Sequence, residues 1–242
     1  MALPATIVVV DLNGGHPNRG VTAICEAIAA QGGRSRVLDL RREGALDVDG
    51  ASAVILTGGP GSPCSPEPWR RRLQAALPGV GTRLPVLGIC LGFQVMARAW
   101  GWGLGMLPSP RFGLYALPQG TRDGGWLRPL PRGATVFEQR SWAVWRRPQA
   151  RGLPLATSAA GDVVAARFGP LAAGVIFHPE AAPGPVAQWF STDAAAHARA
   201  VRLHGAQAAA GHAQRAAALA TVHDSLLPGY VRWALDRSAT CS

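Results

Sequence analysis

One cysteine of this chain stands in a setting typical of a catalytic nucleophile. Cys90 lies in the run Val86-Leu-Gly-Ile-Cys-Leu-Gly-Phe-Gln94, in which an apolar strand ends and a helix begins. Gly88 and Gly92 permit the tight turn between them, and the N-terminus of the following helix favours a thiolate. The amide of Leu91 would point toward a developing oxyanion. The motif is typical of a nucleophile elbow with cysteine in place of serine, although a structural cysteine in a tight turn fits it about as well.

A second motif offers the base that such a nucleophile needs. In Val175-Ile-Phe-His178-Pro-Glu180, the histidine and the glutamate lie two residues apart at the end of an apolar strand. At strand spacing both side chains leave from the same side, so the carboxylate can fix the tautomer of an imidazole base. Taken alone, the same three residues also fit an ordinary turn.

A glycine-rich loop follows another apolar strand. The sequence Thr57-Gly-Gly-Pro-Gly-Ser-Pro63 can present backbone N–H groups to an anion. The carboxyl ends of the strands form the ligand crevice of a doubly wound sheet, so we expect this loop to lie beside the other two motifs. A plain connection between a strand and a helix is the alternative.

The segments between these motifs predict a parallel sheet that positions them. The expected strands are Ala5–Asp11, Arg36–Leu40, Ala53–Thr57 and Leu84–Ile89, and the expected helices are Val21–Ala30, Trp69–Leu77 and Leu91–Trp100. Strands that alternate with helices at this spacing are typical of a doubly wound α/β fold.

After Gly101 the pattern changes to short segments punctuated by Gly and Pro, which predicts antiparallel strands and hairpins. These strands are expected at Leu114–Leu117, Thr135–Glu138, Ala143–Trp145, Leu155–Ser158, Val163–Phe168 and Ala173–Phe177, with a turn at Gly161-Asp162. An alanine-rich helical stretch over Ala194–Ala220 and a last helix over Leu226–Leu235, after a break at Pro228-Gly229, complete the chain. We expect one domain over residues 1–242, with a catalytic core at about 5–190 and a helical segment at 191–242.

The composition excludes a lysine-containing phosphate loop and lysine-based catalysis, and it raises the question of a nucleic-acid partner. All 24 basic residues are arginine, so a GxxxxGK[ST] phosphate loop and Schiff-base catalysis are both excluded. The net charge of +10 is a feature of nucleic-acid-binding proteins. However, the arginine clusters, such as Arg70–Arg72, are not interleaved with aromatic residues. We interpret them as solvated faces and the charge as composition bias, and we predict no nucleic-acid partner.

The sequence also bears on the compartment. It contains no apolar run near the ~18 residues of a membrane span, and its start reads as a first strand without the basic region of a signal peptide. Four cysteines in 242 residues do not form a disulfide framework. These features predict a cytoplasmic protein with no membrane partner.

Together the three motifs resemble those of one family. TGGPGSP, GICLGFQ and HPE, in this order at successive strand ends, resemble the class I glutamine amidotransferases over roughly residues 5–190. The sequence SPCSPEPW, which ends at Trp69, resembles most a stand-alone branch that includes γ-glutamyl peptidases. The resemblance implies a flavodoxin-like, doubly wound, mostly parallel sheet with helices on both faces and a small antiparallel β extension.

The resemblance also implies roles for individual residues. In the triad, Cys90 would be the nucleophile, His178 the general base and acid, and Glu180 the orienting carboxylate. The implied oxyanion donors are the amides of Gly59 and Leu91, and the residues implied to line the substrate site include Gly58 and Gln94. No metal or organic cofactor is implied for the release of ammonia from glutamine or a γ-glutamyl compound.

One loop departs from the family pattern. Members often carry SHxD or HxDxV where this chain has Phe137–Val144, and the loop helps to hold the α-amino end of glutamine. Arg140 and Trp142 stand at the positions expected for His and Asp, with Ser141 between them. We place these three residues in the substrate site, with Glu138 as a substitute acceptor. Arginine cannot pair with an ammonium group, and tryptophan offers one donor and no acceptor, so the identity of the substrate stays open.

Three functions therefore remain. The first is an amidotransferase-type hydrolase that releases ammonia, either alone or as the glutaminase subunit of a synthase, since the chain lacks a synthase domain. The second is a γ-glutamyl peptide hydrolase. The third is a non-catalytic binding or regulatory module, which the intact triad disfavours.

Two minor features have plain interpretations. The loop Asn13–Arg19 lies at the same sheet edge, and its composition is that of a solvent-exposed turn. His197 and His204 lie seven residues apart and predict a solvated helix stripe, not a metal site.

Overall fold

A computed structural model describes residues 5–13, 19–121 and 130–240. Its strands are β1 (Thr6–Val10), β2 (Arg34–Leu38), β3 (Ala51–Leu56), β4 (Val86–Ile89), β5 (Gly103–Ala116), β6 (Thr135–Trp145), β7 (Leu153–Thr157), β8 (Val163–Arg167) and β9 (Ala172–Val175). Its helices are α1 (Arg19–Ala30), α2 (Leu40–Glu43), α3 (Pro68–Val80), α4 (Leu91–Ala99), α5 (Pro183–Ser191), α6 (Ala194–His204), α7 (Ala206–Arg215), α8 (Ala220–His223) and α9 (Leu226–Thr240), with a 3₁₀ turn at Ala216–Leu219.

The central sheet has seven strands in the order β2-β1-β3-β4-β9-β8-β7. The pairs β1–β2, β1–β3, β3–β4 and β4–β9 are parallel, whereas β8 is antiparallel to both of its neighbours. From β1 the crossovers run in opposite directions along the sheet, so right-handed connections place α1 and α3 on opposite faces. This confirms the predicted doubly wound, mostly parallel sheet.

The last strand of the sheet has two partners: it is antiparallel to β8, as predicted, and it has a second partner that was not predicted. The segment that contains β9 was expected to join an antiparallel hairpin, but β9 also lies parallel to β4, from Val86 opposite Ala172 to Ile89 opposite Val175. A Cβ at Gly174 would lie 2.6 Å from the carbonyl oxygen of Gly88, so close packing of the two strands requires glycine there. Because β9 pairs with β4, the strand before His178 lies beside the strand before Cys90.

The small antiparallel sheet consists of β5 and β6, in register from Gly103 opposite Trp145 to Ala116 opposite Thr135, with an irregularity between Met106 and Arg111. The shorter strands predicted here merge into these two. The hairpin between β7 and β8 turns at Gly161, whose φ of 85° favours glycine. That turn was predicted correctly.

The alanine-rich segment is not one helix, because Gly205 adopts a φ of 83° and separates α6 from α7. Pro228 and Gly229 lie inside the first turn of α9, where proline is tolerated, so the predicted break before that helix is absent. The segment packs on the β5–β6 sheet through its own apolar cluster, which includes Phe112, Phe137, Phe190, Ala200 and Leu219.

The histidines of this segment are structural contacts, and the expectation of a solvated stripe was wrong. His197 Nδ1 lies 2.9 Å from the carbonyl oxygen of Phe190, and His204 Nε2 lies 2.9 Å from that of Phe112. His212, 3 % exposed, accepts a hydrogen bond at Nδ1 from the amide of Leu114 at 3.3 Å. Burial, and then the charges of Arg215 and His204, lower the pKa of His212 to about 4.

Helix α9 anchors the C-terminal segment to the central sheet. The hydroxyl of Tyr230 lies 2.9 Å from the carbonyl oxygen of Val54 and 3.1 Å from that of Pro85, deep in the core. Burial raises the pKa of this phenol. Across the described ranges, no helix is long and apolar enough to cross a membrane.

Candidate active site

The carboxyl ends of β3, β4 and β9, which are neighbours in the sheet, bring the three sequence motifs to one edge. The loop after β3 carries Gly58 and Gly59, Cys90 follows β4 directly, and His178 lies three residues after β9. These are the positions that the strand-end motifs predicted.

Cys90 adopts φ 50° and ψ −104°, and it is the one non-glycine residue with positive φ in the described part of the chain. Such a conformation costs on the order of 1–3 kcal/mol and persists where the surroundings enforce it. Here the amide of Cys90 donates to the carbonyl of Val175 at 2.9 Å, and that of Gly92 donates to Thr57 at 3.1 Å. A Cβ at Gly92 would lie 2.4 Å from the carbonyl oxygen of Leu56, so the elbow requires glycine at this position.

His178 is held on both sides. Its Nδ1 lies 2.8 Å from Glu180 Oε1, and its backbone amide donates to the carbonyl of Phe137 at 3.0 Å. Burial lowers the pKa of His178, but the negative charges of Cys90 and Glu180 outweigh burial and hold that pKa well above the usual range of imidazole. The ring of His178 therefore favours the imidazolium form beside Cys90.

Gly58 lies against both the ring of His178 and Cys90. A Cβ at this position would lie 2.9 Å from His178 Cε1 and 3.4 Å from Cys90 Cβ. The absence of a side chain at Gly58 therefore leaves room for the imidazole and the thiol to approach each other. The structure thus brings Cys90, His178 and Glu180 together.

The loop after β3 is fixed by the side chain of Thr57 and by close packing at Gly59. Thr57 Oγ1 accepts a hydrogen bond from the amide of Leu12 at 3.0 Å and donates to the carbonyl of Gly58 at 2.8 Å. A Cβ at Gly59 would lie 2.3 Å from the carbonyl oxygen of Leu12, so only glycine fits there. The loop places Gly59 on the wall of the cleft that holds Cys90, and Leu91 begins α4 at the elbow.

In the first turn of α3, which follows this loop, Arg70 contradicts the expectation of a solvated arginine face. It is 3 % exposed, donates to the carbonyl of Ser62 and lies 3.2 Å from Glu67 Oε2. Its guanidinium also stacks on the ring of Trp69 at 4.8 Å. Only its neighbours Arg71 and Arg72 are exposed.

Strand β6 forms the opposite wall, and here the structure adds a residue that sequence reasoning missed. The carbonyl oxygen of Gln139 lies 3.6 Å from Cys90 Sγ, which places it as an acceptor for the thiol. Because this group belongs to the backbone, no side-chain motif marks it. Ser141 and Trp142 line the same wall, as expected.

Arg140 borders the cleft, but its guanidinium is fully buried and is not presented to a ligand. Its Nε lies 2.6 Å from Glu138 Oε2, its Nη2 lies 2.6 Å from Asp162 Oδ2, and its Nη1 donates to the carbonyl of Trp142 at 2.9 Å. The carboxylate of Glu138, 1 % exposed, forms ion pairs with Arg111 and Arg140. This geometry disfavours both side chains as direct contacts to a substrate.

The cleft around Cys90 has a volume of about 1270 Å³, above the ~300–1000 Å³ of most ligand sites. Besides the expected Gly58 and Gln94, it is lined by residues that no motif indicated. These come from α1, from α5 and from the C-terminal segment, and include Ala23, Glu26, Ala27, Trp189, Arg199, His223, Asp224, Leu227 and Pro228.

Two further residues at the cleft bear on the sequence predictions. His223 Nδ1 lies 3.1 Å from the carbonyl oxygen of Pro179, the residue between His178 and Glu180. Asn13 lies on the cleft wall, but residues 14–18 of the loop Asn13–Arg19 lie outside the described residues. No group of three metal-ligating side chains occurs in the described ranges.

The sequence model of the Glutamine amidotransferase class-I family matches residues 21–195, which is more than two thirds of the chain. This chain belongs to the class-I glutamine amidotransferase family. Arg199 and the residues after it that line the cleft lie beyond the matched range.

Two curated relatives are similar to part of the chain. An aminodeoxychorismate synthase from Streptomyces griseus is 38% identical over 135 residues, which cover 55% of this chain and 18% of that protein. A GMP synthase [glutamine-hydrolyzing] from Mycobacterium marinum is 37% identical over 139 residues, which cover 56% of this chain and 25% of the relative. The matched part is thus a quarter or less of these relatives.

Solved structures share the fold over the whole length. A glutamine amidotransferase from Thermotoga maritima superposes with a TM-score of 0.73 at 19% identity and covers 98% of both chains. A putative GMP synthase subunit from Thermoplasma acidophilum gives a TM-score of 0.61 at 18% identity and covers 100% of both. The family resemblance and the fold class predicted from the motifs are confirmed, while the stand-alone branch within the family stays a prediction.

Proposed function

We propose that this chain hydrolyses the side-chain amide of glutamine and releases ammonia through a thioester on Cys90. The observation that carries this proposal is the elbow conformation of Cys90, at the N-terminus of α4 and next to the His178–Glu180 pair, with Gly58 packed against both. A strained thiol beside an imidazole with a raised pKa is a nucleophile poised for acyl transfer.

In the first half of the reaction, the Cys90 thiolate attacks the δ-carbon of the amide and a C–S bond forms. The electron pair of the carbonyl moves to its oxygen, which the amides of Gly59 and Leu91 stabilise. The His178 imidazolium then donates its proton to the amide nitrogen, the C–N bond breaks and ammonia leaves. Glu180 keeps the ring oriented and stabilises its charge throughout.

In the second half, the neutral His178 takes a proton from water as the water oxygen attacks the thioester carbon. The C–S bond breaks, Cys90 leaves as the thiolate, and glutamate is the product. No metal or cofactor takes part in this proposal. Gln94, 3 % exposed and on the cleft wall, is placed to contact the glutamyl moiety, as are Ser141 and Trp142.

We further propose that the ammonia serves a synthase carried by another polypeptide or another domain. Both relatives are named as synthases, and the part that this chain matches is a quarter or less of each. The acceptor would then be bound by the synthase and not by residues 21–195.

The volume of the cleft favours a second candidate, a γ-glutamyl peptide hydrolase. The same triad chemistry applies, but an amine larger than ammonia leaves. At about 1270 Å³, the cleft exceeds what a single amino acid fills, and its outer wall extends along α1 and α9.

Incubation with glutamine and with γ-glutamyl dipeptides tests both candidates, with ammonia, free amine and glutamate measured against Cys90→Ala. Release of ammonia from glutamine that is lost in Cys90→Ala supports the first candidate. Release of amine from dipeptides alone supports the second. If neither is turned over, with or without the products of neighbouring genes, the chain is a non-catalytic module and both proposals fail.

A further inference from the structure

Behind the β6 wall of the cleft lies a closed group of charges, which we name the β6 charge network. It consists of Glu138 and Arg140 from β6, Arg111 from β5 and Asp162 from the turn between β7 and β8. The side chain of Arg140 is fully buried, and those of Glu138 and Asp162 are 1% and 8% exposed. Two carboxylates and two guanidiniums cancel in formal charge.

The network is continuous. Arg140 lies 2.6 Å from each carboxylate, and Arg111 lies 3.2 Å from Glu138 and 3.8 Å from Asp162. Arg111 Nη2 donates to Ser158 Oγ at 3.4 Å, and that hydroxyl donates in turn to Asp162. The network therefore ties both strands of the small sheet to a hairpin of the central sheet.

The same strand presents backbone to the triad. Carbonyl groups two residues apart on a strand point to the same side, and those of Phe137 and Gln139 meet the His178 amide at 3.0 Å and Cys90 Sγ at 3.6 Å. Arg140 also donates to the carbonyl of Trp142. It therefore holds the backbone of β6 directly, three residues after Gln139.

We propose that the β6 charge network is a positioning device for the nucleophile. It fixes β6 against the central sheet and thereby sets the Gln139 carbonyl beside Cys90, so that Arg140 acts through backbone and not by contact with the substrate. This inference rests on the proposed function only where it is tested by kcat/KM, which requires turnover of a substrate. Buried ion pairs contribute little net stability compared with apolar residues of the same volume, which leaves placement of the wall as their role.

Two variants test this proposal. Arg140→Lys keeps the charge, but one ammonium group cannot bind both carboxylates and the Trp142 carbonyl in the fork geometry of a guanidinium. Asp162→Asn removes one charge at a residue outside the lining of the cleft. Val80→Ala, a core truncation in α3, is the control for a general loss of stability, because Val80 is buried and absent from the cleft wall.

At a temperature where all variants are folded, we expect kcat/KM to fall roughly 10- to 100-fold in both network variants, as for misplaced catalytic geometry, and to stay at the wild-type value in Val80→Ala. If Arg140 instead contacted the substrate, KM alone would rise in Arg140→Lys and Asp162→Asn would behave as wild type. A purely structural role would make all three variants alike. Either result overturns the proposal.

A second readout needs no turnover and separates the two proposals. Alkylation of Cys90 by iodoacetamide is followed by mass spectrometry of the tryptic peptide 84–98. Strand β6 holds both the His178 amide and Cys90 Sγ, and a nearby imidazolium promotes the reactivity of a cysteine, so displacement of β6 should separate the pair and slow labelling several-fold in Arg140→Lys and Asp162→Asn but not in Val80→Ala. Unchanged labelling rates refute the positioning role even if the wild type turns over no glutamine.

Discussion

Protonation of His212 should loosen the C-terminal segment in acid. The folded state holds the pKa of this imidazole at about 4 because of burial and the charges of Arg215 and His204, whereas an unfolded histidine titrates near 6.5. A lowered pKa means that the folded state favours the neutral ring, so the stabilisation is complete above pH 6.5 and is lost as the pH falls toward 4. The neutral ring accepts from the amide of Leu114 at 3.3 Å, which an imidazolium Nδ1 could not do.

The magnitude follows from the two pKa values. Between pH 8 and pH 5, linkage of this one group lowers the free energy of unfolding by up to about 2 kcal/mol. For a chain of this size, that corresponds to a fall in Tm of roughly 4–8 °C. His212→Gln keeps an acceptor for Leu114 but does not titrate in this range, so its Tm should depend less on pH.

Thermal unfolding of wild type and His212→Gln from pH 8 to pH 5 measures this difference, in which the titration of all other groups cancels. His197→Gln is the matched control, since that ring lies on the same segment and contacts a carbonyl. Parallel Tm curves for wild type and His212→Gln would refute the assignment of a lowered pKa to this buried ring.

Three further predictions concern the triad. Gly58→Ala should lower kcat/KM at least about tenfold with little change in Tm, because the new Cβ would lie 2.9 Å from the His178 ring; normal kinetics would contradict the close approach of the two. Glu180→Gln should lower the pKa of His178, since it removes one of the two negative charges that raise it, and should move the alkaline limb of the pH–rate profile to lower pH; an unmoved limb would exclude the carboxylate as a cause. His223→Ala should lower kcat several-fold, because the ring is the partner of the Pro179 carbonyl, and His223→Asn should restore part of the loss; equal kcat values in wild type and His223→Ala would exclude a positioning role.

The sequence was sufficient for the triad because each of its motifs is local. Cys90, His178 and Glu180 follow apolar runs directly, and in a parallel sheet the carboxyl ends of such runs meet at one edge. The same reasoning could not pair β9 with β4, because the 82 residues between Ile89 and Ala172 carry no local signal for that contact.

The opposite wall of the cleft could not be predicted for a different reason. Alignment with family positions places Arg140 in the substrate site, but its partner Asp162 is 22 residues away and comes from another sheet. Gln139 contributes a carbonyl, which every residue type possesses, so its position could be seen only from the register of β6. Leu227 and Pro228 reach the cleft because α9 folds back over the central sheet, and Arg199 reaches it because α6 packs on the small sheet.

That return of α9 has a consequence for the order in which the chain is made. The hydroxyl of Tyr230 contacts the carbonyls of Val54 and Pro85, which are translated 176 and 145 residues earlier. These two carbonyls therefore lack this hydrogen-bond donor until Tyr230 has been made. Until then the apolar face that α9 covers stays open to chaperones and to aggregation, and the cleft lacks Leu227 and Pro228. Synthesis itself therefore delays the site, because the thiol of Cys90 in a nascent chain has no complete cleft until α9 has emerged.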